Sequence, residues 1–276
     1  MTLATILVLA SAGLHAGWNL AAKRSDDRDL ALVGQFTAGG VLALLGLSIT
    51  GLPGMAALPW MLASATVHVF YVASLRQAYQ HGDFSFSYPM ARGGGALLAA
   101  VGGVALLGDE LAPGGWVALV IVGGGLLWIS LPGGGRASVG WALTTAATIA
   151  TYTLIDSHGS RVATSGAAYG LGYMPFTAAA VSAAAVARGR GPALVESLRR
   201  TPGRHLAAGA ASVAAYTLVL ISVRLAPVGY VAMLRESSVV LGGAAGWLLL
   251  HERLGRRRLV GSVVILAGLV LLVLTR

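Results

Sequence analysis

Apolar residues run through this chain in long blocks, each close to 20 residues, broken by short polar or glycine- and proline-rich joints. Ten such blocks can be drawn, at roughly 3–22, 30–50, 58–79, 85–107, 114–131, 139–158, 167–187, 205–223, 228–250 and 258–275. A helix rising about 1.5 Å per residue needs about 20 of them to cross the hydrocarbon core of a bilayer. The joints carry turn formers, among them Leu52-Pro53-Gly54, Pro113-Gly114-Gly115, Pro132-Gly133-Gly134-Gly135 and Thr201-Pro202-Gly203. A membrane β-barrel would instead alternate polar and apolar residues over segments of about ten. The pattern predicts an all-α membrane protein of ten transmembrane helices. Pro89 predicts a kink early in the fourth span. Gly13 and Gly17, Gly102 and Gly103, and Gly242 and Gly246 are expected to let helices pack closely.

One block recurs. Tyr88–Leu111 and Val231–Leu254 align without a gap at seven identical positions of 24, including Met90/Met233, Arg92/Arg235, Gly103/Gly246 and Leu111/Leu254. The carboxylates Asp109 and Glu252 align near the ends of the two copies and read as helix endings at the two surfaces. The relation extends further: His15 to Asn19 aligns with Tyr152 to Asp156, and Arg24 then meets Arg161. Two halves, 1–134 and 135–276, would each hold five spans. Five is odd, so the second half would insert upside down, which is a recurring plan of secondary transporters with the site at the interface of the repeats.

Composition agrees with a membrane bundle. Of 276 residues, 56% are hydrophobic and 11% charged, against about 25% charged in a soluble domain. Cysteine is absent, so disulfides and catalytic thiols are excluded, and no metal site or cofactor is expected. The net charge of +9 does not read as a nucleic-acid surface, because the basic residues sit in joints between spans. With the joints numbered one to nine, the odd ones hold 14 of the 19 Lys and Arg residues. Even joints and termini hold Arg161, Arg224 and Arg276, and Arg92 and Arg235 lie within spans. The positive-inside rule then places the odd joints in the cytoplasm and both termini outside. Lys23-Arg24 follows the first span and no basic stretch precedes it, the order of a retained helix and not of a signal peptide. Arg256-Arg257-Arg258 reads as a topology signal that also suits anionic headgroups.

At the HAGWNLAAKR ending of span one, the ten-span layout, and the endings LGDEL and LHERL of spans four and nine, the sequence resembles the drug/metabolite transporter superfamily, EamA type. The resemblance covers essentially the whole chain. It implies a ten-helix inner-membrane carrier, and many members export amino acids, other metabolites or drugs. One departure stands out. Related four-helix multidrug pumps use a glutamate embedded in their first helix, whereas the polar groups deep in this first span are His15 and Asn19.

Ionisable groups inside a membrane cost roughly 2.5–3.5 kcal/mol or more at its centre, so they mark candidate sites. Arg92 lies about 12 Å into span four at about 1.5 Å per residue, and Arg235 lies at the same depth in span nine. Two polar clusters are expected: Asn19 with Arg92 on the cytoplasmic side, and Asp156 with Arg235 and Glu236 on the external side. They would flank a substrate cavity as gates or anchors. His15, Trp18, His68, Tyr71, Tyr88, Tyr152 and Tyr216 are the aromatic candidates for its lining, with cation–π faces and hydroxyl donors. The competing reading is that the arginines snorkel to headgroups and that Asp156 is a helix-end residue touching water.

The expected function is secondary transport of a small metabolite (an amino acid, amine or similar) by alternating access, with export as the direction. The expected partners are that substrate and membrane lipid, in a monomer or homodimer. A lipid-handling flippase or an intramembrane enzyme is the alternative. Against an enzyme, Gly-x-Ser-x-Gly, His-Glu-x-x-His and metal-ligand clusters are all missing from the sequence, as is a Walker motif for an ATP-driven pump.

Overall fold

Side chains that a water-soluble protein would bury stand outward along most helices. Ile49 is 88% exposed, Leu106 73% and Val120 72%. Such a surface is stable where lipid covers it, and apolar patches of this extent mark membrane or partner contact. In the computed structural model of the chain, the described residues are 2–22, 27–82, 84–130, 135–241, 244 and 256–275. The side chains of 18–22, 28, 84, 85 and 258 lie outside that description.

Every regular element among the described residues is helical. In chain order these are α1 (Thr2–Ala22), α2 (Arg28–Thr50), a 3₁₀ turn (Met55–Ala57), α3 (Leu58–His81), α4 (Phe84–Leu107) and α5 (Pro113–Ser130). Then follow α6 (Arg136–Val162), α7 (Gly166–Ala187), α8 (Gly191–Arg200), α9 (Pro202–Ser222), α10 (Val228–Leu234) and α11 (Arg256–Leu274). Among the described residues, six stretches are long and apolar enough to cross a bilayer: Asp29–Thr50, Met55–His81, Phe86–Leu107, Pro113–Ser130, Gly166–Ala187 and Pro202–Ser222. The chain is a multi-pass, all-helical membrane protein.

The starts of α2 and α7 are capped as the sequence allows. Asp27 accepts from the Leu30 amide at 3.0 Å, and Ser165 accepts from the Ala168 amide at 3.0 Å. Each supplies an acceptor that a helix N-terminus otherwise lacks. Pro89 and Pro175 both sit inside helices that continue through them.

Three elements differ from the apolar pattern. First, α6 runs to Val162, four residues beyond the expected end, so Asp156 is well inside the helix. Second, the joint between α7 and α9 holds a further helix, α8, of ten residues. It is too short to span, and its Leu194 is buried while Glu196, Arg199 and Arg200 face outward. Third, span nine is not continuous. α10 stops at Leu234, Arg235 and Glu236 form a turn, and helix resumes over 237–241. Across the turn the backbone bonds tighten to three-residue spacing: Glu236 to Met233, Ser238 to Arg235 and Val239 to Glu236. Tight 3₁₀ stretches inside helices often mark hinges.

The helices pack in defined pairs. α4 lies on α6 and α10, α3 on α6 and α7, α2 on α7 and α9, α1 on α9, and α5 on α11. Between α2 and α9 the backbones touch: a Cβ on Gly209 would lie 2.7 Å from the Gly39 nitrogen. Gly102 and Gly103 pack as expected, against Leu154 and Val228, but Gly13 and Gly17 face open space. Gly242 and Gly246, together with Glu252 and Leu254 at the end of the second copy, lie outside the described residues.

Candidate functional site at the centre of the bundle

The broken span and its unbroken twin meet in an ion pair. Arg92 of α4 donates from Nη2 to Glu236 Oε1 at 2.8 Å and from Nε to Oε2 at 3.4 Å. The side chains are 11% and 3% exposed. A guanidinium and a carboxylate meeting through two bonds satisfy each other's charge, which is what allows either to stay away from water. Arg92 also donates from Nη1 to His15 Nε2 at 3.3 Å, so that nitrogen acts as an acceptor. The Tyr88 hydroxyl lies 3.4 Å from the same nitrogen. The Arg92 guanidinium stands 5.9 Å from the Tyr88 ring centre. α1 and α4 thus bring together His15, Tyr88 and Arg92, and the turn after α10 brings Glu236.

Arg235, one residue before Glu236, has a different setting. Among the described residues it makes no ion pair. Its guanidinium lies 5.4 Å from the centre of the Tyr216 ring on α9. A cation on an aromatic face is worth about 0.5–2 kcal/mol, and it leaves the guanidinium's donors open to another acceptor.

Behind Tyr216 is Asp156, with no exposed surface. Its two oxygens accept from Tyr169 at 2.9 Å and Tyr216 at 2.8 Å. A buried carboxyl group is tolerable when donors reach its oxygens, and a phenol hydroxyl reaches each of the two here. The length of α6 places Asp156 at this depth, and Gly159 makes room for its partner: a Cβ there would lie 2.4 Å from the Tyr169 ring.

An aromatic wall continues from this point. Tyr152 stacks on His68 at 4.3 Å and meets Tyr71 edge-on at 5.5 Å and Tyr216 edge-on at 6.1 Å. Tyr173 touches both Tyr216, at 5.3 Å, and His68, at 5.8 Å. The His68 ring is fixed by a 2.9 Å bond from Nδ1 to the Ser64 carbonyl. Rings from α3, α6, α7 and α9 therefore form one surface, with the Arg235 cation at its edge. Aromatic pairs at these separations contribute about 0.5–1.5 kcal/mol beyond burial and hold one another's orientation.

The expected division into two separate clusters is corrected. Glu236 does not join Asp156; it crosses to Arg92, because the turn at 235–236 swings its side chain toward α4. Asp156 does not pair with Arg235 directly, since Tyr216 stands between them. Nor does Asp156 touch water at a helix end. His15, Tyr88, Arg92 and Glu236 come together, and so do His68, Tyr71, Tyr152, Tyr216, Asp156 and Arg235. Trp18 and Asn19 belong to α1, but their side chains lie outside the described ones, and with them the expected contact of Asn19 with Arg92. Tyr169 and Tyr173 were not among the candidates. They sit four apart on α7, one helix face, and the signal that finds them is the need of Asp156 for donors.

Comparison with known proteins agrees with this architecture. Residues 136–274 match the family described as the EamA-like transporter family. No curated protein matches. One solved structure, described only as the crystal structure of a protein, superposes with a TM-score of 0.76 at 16% sequence identity, covering 99% of this chain and 97% of that one. At that identity the likeness is one of fold. The family match takes in half of the chain, from the start of α6 to the end of α11: this protein belongs to the EamA-like transporter family.

Proposed function

We propose that the chain is a secondary carrier that moves a small carboxylate-bearing metabolite, an amino acid or similar, across the inner membrane by alternating access, in the direction of export. The observation that carries this reading is Arg235: a cation inside the bundle, seated on an aromatic wall, with no acid of its own among the described residues. A transport site needs an unspent charge that a substrate can complete, and a carboxylate presented to Arg235 would do so. The wall of Tyr71, Tyr152, Tyr173, Tyr216 and His68 suits an apolar or aromatic body beside that carboxylate. Arg92, Glu236, His15 and Tyr88 form the neighbouring, self-compensated centre that fixes α4 against α10. On α1, Trp18 and Asn19 remain lining candidates from the sequence.

Two inverted halves, 1–134 and 135–276, fit the packing. Exchanging each span for the one five places on turns the contacts of α3 with α6 and α7 into those of α9 with α1 and α2. It leaves the pairs α2 with α7, α4 with α10 and α5 with α11 unchanged. The charge bias of the joints supports odd joints in the cytoplasm and both termini outside.

Uptake by reconstituted proteoliposomes tests the reading. A panel of amino acids, amines and organic acids is offered with and without an imposed pH gradient, and lipid scrambling is followed in parallel. Saturable uptake of one class is expected. Flat uptake across the panel together with lipid scrambling would replace the carrier with a flippase.

A further inference from the structure

The even-joint end of the bundle is tied by a carboxylate from the joint after α4. At the end of α4, Gly108 adopts a left-handed φ of 68° and turns the chain back, the usual role of glycine just past a helix. Asp109 then points across the bundle. Its Oδ1 meets Arg161 of α6 at 2.7 Å, and its Oδ2 accepts from the Val228 amide, the first residue of α10, at 2.6 Å. The Asp109 side chain is 8% exposed, and the residue before α10, Pro227, offers no side-chain cap. One carboxylate of the first half therefore holds two helices of the second.

Further bonds join the same end. Arg161 donates to the Val223 carbonyl at 3.0 Å, and Arg224 donates to the carbonyls of Ser160 and Ala163. Thr164 bonds to Leu52 at 2.9 Å and Pro53 at 3.1 Å. The four even joints thus form a single connected network. At the other end, among the described residues, Arg188 and Arg190 pair with Asp29 and Asp27, Ser87 lies near Ser138, and Arg257 donates to the Trp128 carbonyl. An open groove of about 430 Å³ lies on the even-joint side, lined by Asp109, Glu110, Arg161, Arg224 and Pro227.

The helix that Asp109 caps is the one that ends at the central site. α10 runs antiparallel along α4, with Gly229 against Ala100 and Val228 against Gly103. α4 holds it at both ends, by Asp109 at Val228 and by Arg92 at Glu236. We propose that Asp109 is a latch and positioning residue for transport: it closes the even-joint end, and its release frees α10 to swing with Arg235 and Glu236. The proposal rests on the carrier reading only for what passes through the opening; the opening itself can be read without substrate.

The chain has no cysteine, so one introduced thiol is unique. Ala232→Cys places it on α10 at a site 8% exposed, and Ala142→Cys places a control in α6 near its other end, at a site with no exposure. Purified protein is exposed to a water-soluble maleimide. Asp109→Ala is expected to speed labelling at 232 about tenfold, the population shift expected when a tie of this kind is lost, and to leave labelling at 142 unchanged. Arg161→Gln removes the ion pair but keeps the cap on α10, and a smaller rise at 232 is expected. Labelling at 232 unchanged in both variants would overturn the latch, as would an equal rise at 142. Should Asp109→Ala fail to fold, Arg161→Gln decides alone. Latch-dependent labelling in a protein that transports nothing on the panel would refute the carrier and keep the latch.

Discussion

Arg92 and Arg235 occupy matching positions in the aligned stretches Tyr88–Leu111 and Val231–Leu254, yet their settings are opposite. Arg92 sits in an unbroken helix and is fully engaged, by Glu236, His15 and the Tyr88 ring. Arg235 sits where the helix breaks and rests on Tyr216, with no acid paired to it among the described residues. The difference traces to the next residue: Gly93 in one copy, Glu236 in the other. Gly93 lets α4 pack on Leu126, whereas Glu236 turns out of its helix to neutralise the arginine of the opposite copy. Arg92 braces α4 against the turn after α10, and in the proposed carrier Arg235 is the cation left for the substrate. A charge inside a membrane that is not compensated by the protein is the kind a substrate can compensate.

The largest effect should come from breaking the brace. Glu236→Ala strands Arg92, and removing one member of a buried pair costs about 3–5 kcal/mol. Thermal unfolding in detergent should show it as a marked loss. Replacing both, Arg92→Met with Glu236→Met, should recover most of that stability, because two apolar side chains of similar size leave no orphaned charge. A double variant no more stable than Glu236→Ala alone would mean that the pair does not act as a unit.

Arg235→Met should behave in the reverse manner. Its loss forfeits only a cation–π contact, about 0.5–2 kcal/mol, while transport of a carboxylate-bearing substrate should fall about 30-fold or more, since an unpaired buried charge contact is worth 2–5 kcal/mol. Initial uptake rates and melting temperature, measured on the same preparation, separate the two consequences. Tyr216→Phe keeps the ring under Arg235 but removes a donor from Asp156, and about 1–3 kcal/mol of stability should go with it. The smallest effect belongs to His68→Phe, which keeps a ring against Tyr152 and loses the bond to Ser64, about 1 kcal/mol; a loss as large as that of Glu236→Ala would place His68 in a role beyond packing.

How legible this was in the sequence depends on the kind of information each feature carries. The long helices follow from apolar length, and the arginines stood out because ionisable groups in lipid are costly. The break at Arg235 and Glu236 could not be read there, since the apolar run continues through it and the cause lies on another helix, at Arg92. The pairing itself joins residues 144 apart, which no local spacing encodes. α8 was hidden in a joint because ten residues with a single buried leucine carry no span-like signal. Tyr169 and Tyr173 read as ordinary members of an apolar span until Asp156 is seen to need hydroxyl donors.

In the proposed carrier, Arg235 completes its charge with the substrate. The direct measurement is initial uptake, in proteoliposomes, of the best-transported carboxylate and of its decarboxylated analogue, by the wild-type protein and by Arg235→Met. The wild type should prefer the carboxylate by about 30-fold or more, the size of a lost buried charge contact, and Arg235→Met should take up the two at similar low rates. An Arg235→Met protein that keeps the wild-type preference and rate would contradict the account.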